Sequence, residues 1–281
     1  MKKILVTGAN SYIGTALINW LSQWPRQYRT YELDLLDGNW RNHDFSQYDV
    51  IYHVAGIAHI KQTDENKDLY YEINRDLAVE VVKKSKLAGV KQFIFLSSMS
   101  IYGIEAGIIK KDTIPKPRCH YGKAKYEAEK VILALEDIDF SITILRPPMV
   151  YGRGCKGNFV KLNKLTNNII FFPKISNKRS MIHIDNLNEF VKIIIDNKIK
   201  GVYCPQNAEL VCTSEMVKLL SNKKNRNLYL VPGFNNIISF LATKFSVFMK
   251  VFGDLIYDEE LSSIDYPYHI VDFEDSIQRS I

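Results

Sequence analysis

The chain has 281 residues, 46% of them hydrophobic, with a formal net charge of +6 and a pI near 8.9. This describes a soluble globular protein long enough for a full core and a smaller appended lobe. The basic excess is mild and spread out; the doublets Lys83-Lys84, Lys110-Lys111 and Lys223-Lys224 read as solvated faces and exclude a nucleic-acid stripe, although a diphosphate substrate would suit them.

The chain opens directly on a short apolar strand, Ile4-Leu5-Val6, so no targeting segment and a cytoplasmic protein are expected. Thr7-Gly8-Ala9-Asn10-Ser11-Tyr12-Ile13-Gly14 follows. Ile13, Ala16, Leu17, Trp20 and Leu21 then repeat at helical spacing, stopping before Pro25. Strand, glycine-bearing turn and helix form the setting a dinucleotide pyrophosphate needs. Gly8, Asn10, Ser11, Tyr12, Ile13 and Gly14 are therefore candidate cofactor contacts. Ser11 stands where the usual spacing has a glycine; its Cβ narrows the approach, while its hydroxyl offers a donor.

Tyr28 to Leu33 reads as a second strand, leading into Asp34 and Asp37. A carboxylate there accepts from ribose hydroxyls and repels a 2′-phosphate, favouring NAD, with NADP as the alternative. Asp49 to Gly56 is a third strand ending in small residues, Ala55 and Gly56, against which a cofactor ring can lie. Glu72 to Leu87 is expected to be one helix with Ile73, Leu77, Val81 and Val82 inward. Phe93 to Leu96 reads as a buried parallel strand, with Ser97 and Ser98 where it runs out.

Tyr121 to Lys130 is dense in helix formers. Tyr121 and Lys125 stand at i and i+4, one turn apart on a shared face. A cation beside a phenol favours phenolate and is expected to lower the tyrosine pKa from roughly 10, making a base for a sugar hydroxyl that Ser98 could also hold. Ile142 to Leu145 is the next strand, running into Arg146-Pro147-Pro148. Strands alternating with helices predict an α/β doubly wound parallel sheet. The expected partition is a Rossmann-like cofactor domain over 1–151 and a smaller substrate lobe over 152–281 that shares segments with the sheet. The apolar stretch Ile237 to Phe252 is too short to span a bilayer. It reads as an amphipathic core helix or subunit contact, with a membrane-surface helix as the alternative. Cys119, Cys155, Cys204 and Cys212 form no C-x-x-C pair and read as reduced thiols; no metal site is expected.

These pieces, in this order, resemble the extended short-chain dehydrogenase/reductases, in their NAD-dependent epimerase/dehydratase branch. The likeness rests on Thr7-Gly8…Gly14, His53-Val54-Ala55-Gly56, Asn74, Ser97-Ser98…Tyr102-Gly103, Tyr121…Lys125, Arg146-Pro147…Tyr151-Gly152, Arg179…Ile182-His183…Asp185 and Thr213…Glu215-Met216-Val217. The resemblance implies that Ser98, Tyr121 and Lys125 are catalytic and that Lys125 also holds the nicotinamide ribose. It places Pro148 at the cofactor, and Asn158 and Arg179, with Ser98, at a nucleotide-sugar substrate; His183 falls in a structural strand.

Three departures matter, one of them Met149, which stands where the family usually has an asparagine before Tyr-Gly. The Asp-Glu pair with which the family's dehydratases eliminate water is Met99-Ser100 here, and the segment from Trp24 to Asp49 is shortened. The subgroup resembled comprises 4-epimerases and 4-keto-reductases of nucleotide sugars. The expectation is therefore an NAD-dependent 4-epimerase of a UDP-hexose or UDP-N-acetylhexosamine. The alternatives are an NAD(P)H-dependent reductase of a nucleotide-linked 4-keto sugar and a non-catalytic cofactor-sensing protein. A homodimer is implied by the resemblance, with no nucleic-acid partner and no membrane span.

Overall fold

A computed structural model describes residues 1–281 except 59, 61, 64, 235, 236, 239, 241–243 and 245. Two compact units emerge, one of 1–103, 114–147 and 187–205, the other of 104–113, 148–186 and 206–281.

The first unit is built on six parallel strands. They are β1 (Lys2–Thr7), β2 (Tyr28–Leu33), β3 (Val50–His53), β4 (Gln92–Leu96), β6 (Ser141–Leu145) and β10 (Gly201–Tyr203). Their order across the sheet is β2-β1-β3-β4-β6-β10. The chain first steps outward from β1 to β2, then returns to β3 on β1's other side. That reversal opens a crevice beyond the carboxyl ends of β1 and β3, where doubly wound sheets bind their ligands. Every residue of β3 and of β4 is buried, the pattern of strands covered on both faces.

Helix α1 (Tyr12–Leu21) is tied to α6 (Ile184–Asn197) by a hydrogen bond from Trp20 to Glu189 at 3.0 Å. Helix α3 (Leu77–Leu87) and α4 (His120–Leu133) pack with Leu5, Ile51, Phe93 and Ile142 in one apolar core.

The expected helix over 72–87 differs in its first half. A short helix, α2 (Lys67–Tyr71), leads into a π turn at Glu72–Asp76 before α3 begins. The wider turn rotates the inward face, so Asn74 and Ala78 are buried while Ile73 and Leu77 are only partly so. Between β2 and β3 the chain forms only a 3-10 turn, Asn39–Asn42, in keeping with the shortened segment.

The second unit holds three two-stranded parallel pairs. In these, β5 (Gly107–Ile109) pairs β12 (Leu255–Tyr257), β7 (Met149–Tyr151) pairs β9 (Met181–His183), and β8 (Phe171–Pro173) pairs β11 (Tyr229–Val231). Its helices include α5 (Asn158–Leu165) and α7 (Thr213–Lys223). His183 is buried with its ring edge-on to Tyr151, a packed histidine. The stretch expected as one helix over 237–252 lies partly outside the described residues; Ser246–Phe252 is helical. No helix among the described residues is long and apolar enough to cross a membrane.

Candidate active site

The carboxyl end of β1 turns on Gly8, whose φ is +103°. A Cβ at Gly8 would fall 2.9 Å from the Ala55 backbone, so the turn closes against the end of β3 only without a side chain. Asn10 adopts a left-handed φ of 59°, and its N–H donates to the Glu32 carboxylate at 2.8 Å. Ser11 is the N-cap of α1: its hydroxyl oxygen accepts from the Gly14 N–H at 3.2 Å. A Cβ at Gly14 would meet Ser11 Oγ at 2.6 Å and Val6 at 2.9 Å. Tyr12 and Ile13 begin α1, and no acidic side chain sits in its first turn to offset the positive end of the helix. This cradle fits a pyrophosphate.

Asp34 follows β2 directly, next to Leu33, whose carbonyl accepts from Gly8 N–H at 3.0 Å. Its carboxylate is exposed and takes the Leu36 N–H at 3.0 Å. Asp37 is exposed as well, and both its oxygens are held by Asn39, at 3.0 and 2.8 Å. Glu32 escapes sequence reasoning, because nothing local announces a strand glutamate as an acceptor for the glycine turn.

At the end of β3, Asn74 from the π turn clamps the backbone after Gly56. It accepts from Ile57 N–H at 3.1 Å and donates to Ile57 carbonyl at 3.2 Å. A Cβ at Gly56 would lie 2.6 Å from Asn74 Oδ1 and 3.4 Å from Lys125 Nζ, so these three residues share one corner. His53, also at this end, is fully buried and bonds Thr7 at 2.8 Å. Burial, assisted by the nearby Lys125 charge, pushes its pKa down to about 3.

Beyond β4, Ser98 caps a 3-10 turn over Met99–Tyr102, accepting from Ser100 N–H at 3.1 Å. Cys119 caps α4, taking the Gly122 N–H at 3.4 Å, and so sets where Tyr121 emerges. Lys125, one turn on, is 3% exposed; its ammonium donates to the Leu96 carbonyl at 2.8 Å and lies 4.5 Å over the Phe95 ring. On the same helix face, Glu129 is 1% exposed and grips Arg146, with Oε2 2.6 Å from Nη2. Arg146 Nη1 donates in turn to the Tyr102 hydroxyl at 2.9 Å. This pair fastens α4 to the strand end before Pro147.

Ser98, Tyr121 and Lys125 thus stand in one unit, with Ser98 hydrogen-bonded to Tyr121 and Lys125 near Gly56. Their electrostatics reverse one expectation. Burial dominates at Tyr121 and raises its pKa to about 12, while a hydrogen bond with Ser98 pulls it back only in part. Burial also draws Lys125 down to about 7, with Glu129 opposing. The cation therefore does not lower the phenol in the bare protein, because the desolvation that perturbs one perturbs both.

Pro148, Asn158 and Arg179 belong to the second unit. Pro148 is buried just before β7. Asn158 is exposed at the first position of α5, after Gly157 with φ +95°. Arg179 is partly buried, donating to the Gly253 carbonyl at 2.8 Å, and burial draws its pKa below the usual range against Asp254. Among the described residues no cluster of three or more His, Cys, Asp or Glu could hold a metal.

The family model described as "NAD dependent epimerase/dehydratase family" matches residues 4–203. The chain is 30% identical over 266 residues to a UDP-glucose 4-epimerase of Vibrio cholerae, covering 82% of this chain and 78% of that protein. It is 26% identical over 226 residues to N-acetyl-alpha-D-glucosaminyl-diphospho-ditrans,octacis-undecaprenol 4-epimerase of Escherichia coli O157:H7, covering 70% of this chain and 64% of that one. In fold it is similar to UDP-glucuronic acid 4-epimerase from Bacillus cereus in complex with NAD, with a TM-score of 0.76 at 20% identity, covering 99% of this chain and 97% of that one.

Proposed function

The chain belongs to the NAD dependent epimerase/dehydratase family, and from that premise we propose that it inverts the C4 hydroxyl of a nucleotide-linked hexose or N-acetylhexosamine. The observation that supports this reading is that Ser98 hydrogen-bonds Tyr121 while Lys125, one helical turn on from Tyr121, lies near Gly56. NAD, when bound, supplies the hydride acceptor and donor at C4. Gly8, Asn10, Ser11, Tyr12, Ile13 and Gly14 would hold its pyrophosphate, Asp34 its adenosine ribose, with Asp37 as the second candidate, and Ala55 and Gly56 would lie against the ring; Pro148, in the second unit, is assigned to the cofactor by the family resemblance alone. Lys125 holds the nicotinamide ribose.

Ser98 hydrogen-bonds the C4 oxygen and Tyr121 moves the proton at its phenolic oxygen. Taking that proton requires phenolate, which burial alone disfavours. Positive charge brought into the site restores it. Returning the proton requires the phenol, the form the bare protein already stabilises. That last point favours a second reading, a reductase of a nucleotide-linked 4-keto sugar, in which Tyr121 only donates.

Asn158 and Arg179 bind the nucleotide diphosphate; a guanidinium offers forked donors to phosphate. The sugar nucleotide thus falls mainly to the lobe over 152–281 and the cofactor to 1–151. A homodimer using α4 fits the same family reading, and sedimentation tests it. One experiment separates the two reactions: UDP-, dTDP- and GDP-sugars are followed for C4 inversion without added cofactor. Inversion with retained NAD supports the epimerase. Consumption of NAD(P)H by 4-keto sugars without inversion supports the reductase, and neither activity across the panel refutes both.

A further inference from the structure

The net charge of +6 conceals a division: residues 148–184 and 216–253 hold thirteen lysines and arginines and no aspartate or glutamate, while the rest of the chain holds 24 basic against 31 acidic residues. Both acid-free stretches belong to the second unit.

Within it, β8 and β11 pair with Phe171 opposite Tyr229 and Phe172 opposite Leu230. Strand alternation sends Phe172 and Leu230 to a face packed on Val217 and Leu228. Phe171 and Tyr229 go to the other face, 66% and 57% exposed, with their rings 6.0 Å apart. Ile170 and Leu165 are exposed just before them in the chain. A strand with only one face on a core ordinarily alternates apolar with polar residues. This pair shows two neighbouring rings, and clustered apolar exposure marks an interaction site. Lys161, Lys164, Lys174, Lys223 and Arg226, on the segments that lead to and from these strands, are exposed as well.

We propose that this face docks on the surface of an anionic phospholipid bilayer. Phe171 and Tyr229 enter the boundary between headgroups and acyl chains, and the lysines meet lipid phosphates. Apolar insertion combined with basic attraction is the recognition pattern of proteins that lie on a membrane without crossing it. Two other occupants fit less well. A second copy meeting this face through a two-fold axis would bring two copies of the same basic segments together. Single-stranded nucleic acid would match the rings, but Ile170 and Leu165 offer neither stacking planes nor hydrogen bonds. Ten of the thirteen cations are lysines rather than the forked arginines that recognise phosphates in fixed geometry.

Co-sedimentation of the full chain with vesicles tests the proposal. One set contains phosphatidylcholine and phosphatidylglycerol in equal parts; the other contains phosphatidylcholine alone. The protein should pellet with the mixed vesicles and stay in solution with the neutral ones, and added salt should release it. A Phe171→Ser/Tyr229→Ser double variant and a Lys161→Glu/Lys164→Glu double variant should each lower partitioning by about tenfold or more. All four positions are exposed, so circular dichroism and NAD binding should match wild type. Absence of pelleting with mixed vesicles overturns the proposal, as does undiminished pelleting of both variants. Concentration-dependent self-association or RNA retention lost in the aromatic variant, without vesicle binding, also overturns it and reassigns the face.

Discussion

Replacing Lys125 with methionine separates what the buried ammonium costs from what it does. Methionine keeps the unbranched stem and removes the charge. In the cofactor-free protein, burial draws Lys125 from 10.5 to about 7. That drop corresponds to about 5 kcal/mol disfavouring the charged form. The unfolded chain holds this proton up to the ordinary lysine value, whereas the folded chain releases it above about 7. Between those limits the unfolded state binds more protons, so wild-type stability rises with pH. The penalty is complete below the folded value and absent above the unfolded one.

Lys125→Met has no such titration. Wild-type stability relative to the variant should therefore climb by about 2 kcal/mol between about pH 7 and about pH 9. Urea denaturation of NAD-stripped protein, followed by circular dichroism at constant ionic strength, measures this difference. Adding NAD should then stabilise wild type more than Lys125→Met, because binding to the native state alone adds to stability through mass action. A difference that stays flat or falls as pH rises would refute the claim that the ammonium is held out of water at a cost.

Tyr121→Phe should lower kcat by about 10²–10⁴ while NAD still binds; a variant keeping more than half of wild-type kcat, with chemistry rate-limiting, removes Tyr121 as the proton carrier. Glu129→Ala strands Arg146 without its carboxylate and should cost about 3–5 kcal/mol in urea denaturation, and a loss under about 1 kcal/mol would show that the pair does not anchor α4. Calorimetry should find NAD(H) bound more tightly than NADP(H), because a carboxylate at the ribose repels a 2′-phosphate; the reverse order would move Asp34 and Asp37 away from the 2′-hydroxyl. Mass spectrometry after incubation with NAD and dTDP-glucose or UDP-N-acetylglucosamine should show no loss of water, since Met99 can be neither acid nor base and Ser100 is a poor base. A product lighter by one water, formed in proportion to enzyme, would restore the dehydratase reading.

What could be read from the residues follows from the range of the interactions involved. The strands at Ile4-Leu5-Val6 and Phe93-Ile94-Phe95-Leu96 declare themselves because a strand buried on both faces must be apolar throughout. The glycine turn declares itself because a positive φ and a close backbone approach both exclude a side chain at Gly8. The π turn at Glu72–Asp76 does not, because propensity favours unbroken helix there. Its cause is tertiary: Asn74 must face the Ile57 backbone to satisfy both backbone polar groups of that residue. Glu129 looks like any helix glutamate until Arg146, 17 residues on, is found against it.

The pKa of Tyr121 is where local reading gives the wrong sign, and the reason bears on mechanism. Spacing places a cation one turn from the phenol, and Coulomb's law then favours phenolate. Folding adds a desolvation that opposes charge on both groups and is the largest cause at each, with Tyr121 pushed up to about 12 and Lys125 down to about 7. The bare site is thus tuned toward its uncharged forms. Positive charge entering it lowers Tyr121 but also presses Lys125 to release its proton, while a hydroxyl accepting from the Lys125 ammonium resists that release. On the proposed reading, a site built this way would tie its proton chemistry to occupancy. The phenol would stay protonated in the empty site and act as a base only once substrate and a positively charged cofactor share the desolvated space with Ser98.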